Sequence, residues 1–533
     1  MIKIRIFAIS KNQQYLDLML SVSEKVITIT DFYQVVNQNQ AVTIDKLWLE
    51  ELQRSYAFLL EFSKDKIIYG VNTGFGPMAQ HVIPREDINQ LQYNLIRSHA
   101  SGSGNPLDPL LCRAVVFSRM TSMAQGYSGV HPSTVTLLSE MLNTAIIPVI
   151  YEHGGVGASG DLVQLSHLAL SMIGEGEVYK AGEIVDTASA MQQEGINPLK
   201  VHLREGLSLI NGTSAMTGIG LINVIQAKKL LHWSIIMTAF LNEITNAYDD
   251  HHSAALNGAK RHSGQVEIAA KMRSVLSDSK LRRDRAEIYE QKNGEAEHLV
   301  EKFQEYYSIR CVPQVLGPIK DTIDHCEKIL LQELNSANDN PIIDRKAGNV
   351  FHGGNFHGEY VSMEMDKLKI AVTKLSMLCE RQINFLMNSK INDKLSPFIN
   401  LGKLGLNFGL QGMQFTATST TAENQTLSNP MSVHSIPTNN DNQDIVSMGT
   451  NSALMAKKVI DNTFEIMSIG MISVMQAVDY LDIREELSSV TRGNYMAMRE
   501  IAEVINEDKA RYKEMNNLKN YLVDIDFLEI IEQ

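Results

Sequence analysis

The sequence predicts a mainly α protein built around a central bundle of long antiparallel helices. Three long stretches with few helix breakers support this prediction, residues 215–249, 359–388 and 451–481. Each repeats apolar residues at helical spacing and is longer than the roughly 8–20 residues of a usual globular helix. Their apolar stripes are wide, and a helix that is apolar on most sides is buried on most sides. We therefore expect these helices to pack together, with several faces buried between subunits.

The first two hundred residues differ from the rest, because Gly, Pro and Asn interrupt them repeatedly. Examples are the segments YGVNTGFGP, ASGSGNPLDP and HGGVGASGD. Short helices and loops that carry a functional site are the expected structure. The sequence thus predicts an N-terminal extension (residues 1–27), a loop-rich domain with the active-site loops (28–214), and a long-helix bundle with C-terminal helices (215–533).

Composition limits the class of partner. The 533 residues are 44% hydrophobic and 20% charged, with a formal net charge of −13 and no basic tract. This charge argues against a nucleic acid or an anionic membrane as partner. No apolar run reaches the ~18 residues that a membrane span requires, and the N-terminus lacks a convincing signal peptide. Four widely separated cysteines fit a reduced compartment, so the sequence predicts a cytoplasmic protein.

A glycine-rich segment precedes a predicted helix, YEHGGVGASGDLVQLSHLAL at residues 151–170. Gly155, Gly157 and Gly160 match the G-x-G-x-x-G pattern of dinucleotide-binding proteins, but the chain lacks the alternating strands and helices of a Rossmann sheet. A tight turn in which Asp161 caps the following helix explains part of the pattern. Neither interpretation explains the central Ala-Ser-Gly.

A third interpretation of this segment is chemical. The nitrogen of Gly160 can attack the carbonyl carbon of Ala158 and close a five-membered ring. Loss of two waters, one of them from the Ser159 hydroxyl, leaves a methylidene-imidazolone, an electrophile that no standard side chain supplies. The small Ala and Gly neighbours permit the contortion that ring closure requires.

The segment GGVGASGDLVQLSHLAL resembles the signature of the aromatic amino acid ammonia-lyases, which carry a 4-methylidene-imidazole-5-one (MIO) group. The resemblance extends from about Val42 to Ala477, through YGVNTGFGP, LINGTSAMTG, YYSIRCVPQVLGP, NSANDNPII, GGNFHG and NQDIVSM in the family's order. It implies the ammonia-lyase (fumarase/aspartase-like) fold, with MIO in the loop-rich domain. It also implies a homotetramer whose active sites each draw on three chains, and no added cofactor.

Elimination of ammonia from an amino acid must activate a poor leaving group and remove a weakly acidic β-proton. The resemblance implies that a ring made from Ala158, Ser159 and Gly160 performs the first task. It assigns the second task to Tyr69 in YGVNTGFGP, as the base. A phenol is a suitable base when nearby groups lower its pKa from about 10. A packed turn residue is the alternative interpretation of this tyrosine.

In QEYYSIRCVPQ, Gln304, Tyr307 and Arg310 are three residues apart and would share one helical face, with Pro313 ending the helix. The resemblance implies that Arg310 holds the substrate carboxylate through its two-pronged guanidinium. It implies that Tyr307 hydrogen-bonds near MIO and that Gln304 belongs to the substrate site. A surface ion pair is the alternative for Arg310.

Three further site residues follow from the resemblance. Asn211 in LINGTS would stabilise negative charge on the ring oxygen, as an oxyanion hole does. Asn355 and Phe356 in GGNFHG would line the pocket, although either could be a simple turn residue. The segment YDDHH, residues 248–252, lacks further ligands at suitable spacing, so we expect a solvated helical segment and no metal site.

Two positions bear on the substrate and disagree. Ser98-His99 matches the selectivity site of histidine ammonia-lyases and speaks against phenylalanine, since histidine can hydrogen-bond a phenol or an imidazole. Gln443, beside Asn442, stands where histidine ammonia-lyases carry a glutamate that suits imidazole, and it resembles phenylalanine and tyrosine lyases. We expect L-tyrosine as substrate, giving trans-4-coumarate and ammonia. L-Histidine, giving urocanate, is the alternative.

Other classes remain open at this point. An aminomutase would return ammonia to the β-carbon and release β-tyrosine. A helical scaffold with an inactive lyase fold would leave residues 158–160 uncyclised, which an intact mass would reveal. A dehydrogenase would bind NAD, which a titration would detect.

Overall fold

The computed structural model describes residues 19–23, 26–289 and 302–532. Most of the predicted N-terminal extension lies outside these residues. Its described part includes the strand Leu20–Val22, which pairs in parallel with the strand Val42–Ile44. The protein is mainly helical, as predicted.

Long helices dominate the described residues. They are Ser214–Thr245, Val312–Leu334, Glu359–Met387 and Gly449–Leu481. The three helices predicted from apolar spacing are confirmed, with ends that differ by four residues or fewer from the predicted ones. Val312–Leu334 escaped the prediction because Pro313 was expected to end a helix. Proline is tolerated in the first helical turn, where its missing N–H needs no partner, and Pro313 lies in that turn.

The long helix Glu359–Met387 has both parallel and antiparallel neighbours. Ser214–Thr245 and Glu359–Met387 run in the same direction, since Asn223 contacts Met365 and Thr238 contacts Gln382. Gln411–Leu427 runs opposite to Glu359–Met387.

Contacts of Gln411–Leu427 establish that opposite direction, because Gln414 bonds Asn384 while Asn424 bonds Thr373. Long connections between successive helices make parallel neighbours possible, whereas short loops would force antiparallel ones.

The chain divides into two compact units that are discontinuous in sequence. Unit 1 comprises residues 1–222, 329–363 and 431–454, and unit 2 comprises residues 223–328, 364–430 and 455–533. Each of the four long helices contributes residues to both units. The predicted boundary after residue 214 remains a prediction about folding domains.

Unit 1 combines short helices with small sheets. Its helices are Ile29–Val36, Lys46–Phe62, Gly76–Met78, Arg85–Asp87, Ile88–His99, Pro109–Ala124, Pro132–Asn143, Leu162–Met172, Thr187–Glu194 and Glu205–Ile210. Its remaining strands are Ser103–Pro106, Ile147–Pro148, Tyr151–His153, Glu177–Lys180, Glu183–Asp186, Ile342–Asp344 and Asn349–Phe351.

The small sheets of unit 1 hold its loops against the helices. Tyr151–His153 pairs antiparallel with Ser103–Pro106, and Ile342–Asp344 with Asn349–Phe351. A buried cluster of Leu59, Ile68 and Ile343 fixes the latter hairpin on the helix Lys46–Phe62. The resulting framework presents the glycine-rich loops.

Unit 2 carries shorter helices around the long ones. They are Asp249–His252, Ala254–Gly258, Ser263–Val275, Ala286–Tyr289, Tyr307–Arg310, Ser389–Asn392, Pro397–Ile399, Gln411–Leu427, Arg484–Glu486, Ser489–Arg499, Tyr512–Asp524 and Phe527–Glu532.

Among the described residues, one helix is long and apolar enough to cross a membrane by length and composition. It is Gly449–Leu481, whose most apolar window has a mean hydropathy of 1.2. In the protein, 78% of that window is buried. Such burial is typical of a helix in a protein core.

The segment YDDHH is not solvated, contrary to the sequence-based expectation. His251 and His252 are 7% and 2% exposed, and both imidazoles bond the side-chain oxygen of Asn242. An amide oxygen only accepts, so each histidine donates its Nε2–H. No group of three or more potential metal ligands occurs within residues 19–23, 26–289 and 302–532. Both histidines instead pack as neutral core residues.

Burial of His251 predicts a loss of stability in mild acid. Burial lowers its pKa from 6.5 to about 4, so the folded state resists a proton that the unfolded state accepts. The stabilisation is complete above pH 6.5 and is lost as pH falls toward 4, about 3 kcal/mol in all. Thermal melts of the wild type and His251→Gln should therefore show a shallower acid slope for the variant.

The exposed His262 provides the control for that experiment. His262→Gln should keep the wild-type acid slope of the melting temperature. Equal slopes for the wild type and His251→Gln would contradict the interpretation.

Candidate active site

Unit 1 encloses a cavity of about 870 Å³ at the glycine-rich loops. Nine of the predicted site residues line it: Tyr69, Ser98, His99, Ser159, Gly160, Asn211, Phe356, Asn442 and Gln443. Leu91, Leu95, Leu207 and Ile210 supply an apolar wall. The cavity therefore combines an apolar surface with a few convergent polar groups, as small-molecule sites usually do.

Ser159 accepts two directed hydrogen bonds, one at its backbone carbonyl and one at its hydroxyl. The Asn211 side-chain amide donates to the Ser159 carbonyl oxygen at 3.0 Å, and the Gln443 amide donates to the Ser159 hydroxyl at 2.8 Å. Ring closure between Gly160 and Ala158 would expel the Ala158 oxygen and keep the Ser159 carbonyl oxygen. Asn211 thus contacts the atom that would become the ring oxygen.

Gly160 lies against the backbone of the Asn211 loop. Its φ is +72°, it forms a bridge to Gly212, and a Cβ at this position would collide with the Gly212 carbonyl. Only glycine meets both conditions without strain. The side chain of Ala158 is 4% exposed, so it is also confined to a small space. The triplet Ala158-Ser159-Gly160 therefore fits an MIO group in size, backbone shape and donor placement.

Asp161 does not cap the helix that follows it, contrary to the turn interpretation. Asp161 stands at the N-cap position of Leu162–Met172, but its side chain makes no capping hydrogen bond to that helix. Its carboxylate instead accepts from the backbone N–H of Ala215 and Met216, at 2.8 and 2.9 Å, and from the Thr450 hydroxyl. Burial raises its pKa to about 6, although these donors oppose the increase. Asp161 thus fixes the N-terminus of Ser214–Thr245 beside the glycine-rich loop.

Tyr69 lies on the loop before the short helix Gly76–Met78. Its hydroxyl oxygen accepts the Gly76 N–H at 3.2 Å, and its ring meets Phe75 edge-on at 6.2 Å. Because the Tyr69 oxygen is the acceptor in this bond, its own hydroxyl hydrogen can still be donated to a ligand. The phenol lines the same cavity as Ser159.

His99 ends the helix Ile88–His99 and is held by the last turn. Its Nδ1 lies 2.9 Å from the Leu95 carbonyl oxygen, and the Ser98 hydroxyl donates to the same oxygen at 3.1 Å. A carbonyl only accepts, so Nδ1 carries the hydrogen. In the neutral imidazole Nε2 is then an acceptor.

Gln443 is presented by a tight loop. The backbones of Thr438 and Gln443 form a two-residue bridge, and Asn439, Asn440 and Asp441 between them have φ of 52–59°. Asn and Asp tolerate this left-handed conformation better than most residues, which explains the sequence NND. Asn442 lines the cavity next to Gln443.

Gln304, Tyr307 and Arg310 line a different cavity, of about 730 Å³, built from unit 2 residues. The prediction that all three share a helical face is wrong. Tyr306 is extended, with ψ of 155°, so the helix begins at Tyr307 and Gln304 precedes it. The Arg310 guanidinium lies 4.8 Å from the Tyr307 ring centroid.

Asn355 occupies an exposed turn, and its amide donates to the Ala337 carbonyl oxygen at 3.4 Å. It does not line the cavity of Ser159, whereas its neighbour Phe356 does.

The model of the family described as aromatic amino acid lyase matches residues 27–500. The chain belongs to this family. It is therefore an enzyme of the carbon–nitrogen lyase class, and the resemblance inferred from its motifs is confirmed.

Relatives of this aromatic amino acid lyase differ in substrate and outcome. The tyrosine 2,3-aminomutase of Myxococcus sp. (strain Mx-B0) is 38% identical over 510 residues, 94% of this chain and 95% of the relative. The histidine ammonia-lyase of Geobacillus sp. (strain WCH70) is 37% identical over 514 residues, 96% of this chain and 97% of the relative.

A solved structure confirms the fold of this lyase. The tyrosine aminomutase from Streptomyces globisporus superposes with a TM-score of 0.92 at 35% identity, covering 96% of this chain and 98% of that one. The predicted mainly α ammonia-lyase fold is thus correct.

Sequence reasoning missed one residue that supports the site of this lyase. Arg119 is fully buried and donates to the Asn211 carbonyl oxygen at 3.1 Å and to the Asn338 side-chain oxygen at 3.1 Å. Burial lowers its pKa to about 10. A charged residue inside the apolar helix Pro109–Ala124 was the available signal, because such charges are buried only with partners.

Proposed function

We propose that this lyase eliminates ammonia from L-tyrosine and releases trans-4-coumarate. The proposal rests on one observation: His99 and Gln443 line the same cavity as Ser159. His99 offers Nε2 as an acceptor, which suits a phenol O–H. Gln443 is neutral, so the cavity contains no carboxylate at the position that would favour an imidazole.

The residues of the chain divide the work of this elimination. The MIO group formed from residues 158–160 supplies an electrophile for the amino group. Tyr69, as the phenolate, takes the β-proton and becomes the neutral phenol. Asn211 donates to the Ser159 carbonyl oxygen and stabilises negative charge there. His99 accepts the hydroxyl hydrogen of the substrate ring, and the apolar wall excludes water from the ring.

The proposed assembly is a cytoplasmic homotetramer with composite sites. Tyr307 is 71% exposed, and the buried Nε of Arg310 has no hydrogen-bond partner within the described part of the chain. Both observations support completion of this cavity by another subunit and a carboxylate ligand for Arg310. Exposed apolar residues on the bundle, including Ile370 and Phe415, also support subunit packing.

Comparing turnover of L-tyrosine, L-phenylalanine and L-histidine on the purified enzyme tests the proposal. A preference for L-histidine would contradict the proposal and indicate histidine ammonia-lyase activity, the activity for which the Geobacillus relative is named. Chromatography of the products separates coumarate from β-tyrosine. Predominant β-tyrosine would make the enzyme an aminomutase, which the Myxococcus relative favours.

Replacing Gln443 by glutamate should lower kcat/KM for L-tyrosine. Gln443 lines the cavity beside the Ala158-Ser159-Gly160 triplet, and its bond to the Ser159 hydroxyl ends when that hydroxyl leaves as water. A carboxylate at this position introduces a partly buried negative charge next to a neutral phenol ring, which predicts a roughly ten- to hundredfold decrease. Turnover of L-histidine should rise relative to that of L-tyrosine. Steady-state kinetics with both substrates measure the change.

Gln193→Glu is the matched control, since Gln193 is exposed on the helix Thr187–Glu194 and gains the same charge. It should keep wild-type kinetics. Wild-type tyrosine kinetics for Gln443→Glu would show that this side chain does not contribute to the site.

A further inference from the structure

Residues 98–102 connect the helix Ile88–His99 to the strand Ser103–Pro106, and they carry the proposed ring-binding histidine. At the start of the segment, Ser98 and His99 are bonded to the Leu95 carbonyl. At its end, the Gly102 N–H donates to Nε2 of His167 at 3.0 Å. The segment is therefore fixed at both ends, and only the second anchor comes from another helix.

His167 belongs to the helix Leu162–Met172, which begins two residues after Gly160. A backbone N–H only donates, so Nε2 of His167 carries a lone pair and its imidazole is neutral. Burial lowers the pKa of this imidazole and maintains that state. The edge-on contact of its ring with Tyr151, at 5.2 Å, orients the ring toward Gly102.

Gly102 is small enough to allow this close approach. A Cβ at position 102 would lie 2.8 Å from Nε2 of His167 and 3.1 Å from Cβ of Tyr151. The first distance is shorter than real Cβ contacts, and the second would require Tyr151 to shift by a few tenths of an ångström. Arg97 on the helix Ile88–His99 also forms an ion pair at 2.6 Å with Glu175, which lies just beyond the end of the helix Leu162–Met172.

We infer that His167 is a positioning residue for substrate selectivity. Through Gly102 it sets the distance between His99, which receives the substrate ring, and the Ala158-Ser159-Gly160 triplet. The helix Leu162–Met172 thus fixes the spacing between the residues that bind the two ends of the substrate. The inference rests on the proposed function, because it assumes that His99 binds the ring substituent.

Two substitutions separate this role from simple packing. His167→Leu fills similar space but cannot accept the Gly102 N–H, whereas the side-chain oxygen of Gln in His167→Gln can. For His167→Leu we expect the ratio of kcat/KM for L-tyrosine to that for L-phenylalanine to fall about tenfold, mainly through KM. His167→Gln should restore the ratio to within about threefold of wild type.

Two physical readouts accompany the kinetics. Amide hydrogen exchange at Gly102 should accelerate in His167→Leu and return toward wild type in His167→Gln. The intact mass should keep its deficit of two waters in both variants. If His167→Leu does not fold, Gly102→Ala displaces the same contact from the other side and should lower the same ratio.

The outcomes distinguish this inference from the proposed function. His99→Phe should also lower the tyrosine-to-phenylalanine ratio. If His99→Phe lowers it while His167→Leu leaves it unchanged, or reduces both substrates equally, the inference is wrong and the proposed function stands. If His99→Phe leaves the ratio unchanged, the proposed role of His99 fails first.

Discussion

Ser159→Ala is expected to abolish turnover. The expected loss in kcat is about 10³-fold or more, which is still smaller than the total rate acceleration of a typical enzyme. Alanine has no hydroxyl to lose as water, so residues 158–160 cannot form the methylidene group. The backbone contacts at Ser159 and Gly160 involve main-chain atoms and survive the change. The polypeptide should fold normally and lack an electrophile. Coumarate formation and intact mass measure the two effects.

Ser171→Ala is the matched control for that experiment. Ser171 is a buried serine whose hydroxyl donates to the Leu168 carbonyl at 2.7 Å within one helix. This variant should keep the mass deficit of two waters and near wild-type kcat. A normal kcat for Ser159→Ala would show that the reaction does not require MIO.

The long helices and the residue types of the site were predictable because local sequence determines them. Apolar residues at helical spacing located Ser214–Thr245 and Glu359–Met387 within a few residues. The Ala-Ser-Gly triplet predicted its own cyclisation to MIO, since ring closure would involve only atoms of neighbouring residues. Tyr69, Asn211 and Gln443 were predicted as site residues through motif resemblance, and all three line the same cavity of unit 1.

Errors arose where contacts distant in sequence decide the structure. Asp161 precedes one helix but caps another that is 54 residues further along, which no local pattern contains. His251 was expected to be solvated because further metal ligands at suitable spacing were lacking, yet it is buried and bonds Asn242 on the helix Ser214–Thr245. Gln304 was placed on a helix from spacing alone, whereas the extended backbone of Tyr306 starts that helix later.

Tyr69→Phe is expected to lower kcat by about 10²–10⁴-fold, the usual contribution of a positioned base. Phenylalanine keeps the ring and its edge-on packing against Phe75 but has no oxygen to receive the β-proton. The proposed MIO group derives from residues 158–160 and not from Tyr69, so the intact mass should show the same deficit of two waters as the wild type. The loss should therefore appear in proton removal, and exchange of the β-hydrogen with deuterated solvent should fall with kcat.

Tyr93→Phe controls for the loss of a tyrosine hydroxyl as such. The Tyr93 hydroxyl accepts the Val201 N–H at 3.2 Å, the same distance at which Tyr69 accepts Gly76, but Tyr93 does not line the cavity. Both variants lose one hydrogen bond of the same kind, so their stabilities should fall equally. Only Tyr69→Phe should lose activity. If the two variants were equally active, proton removal would have to be assigned to another residue of the cavity.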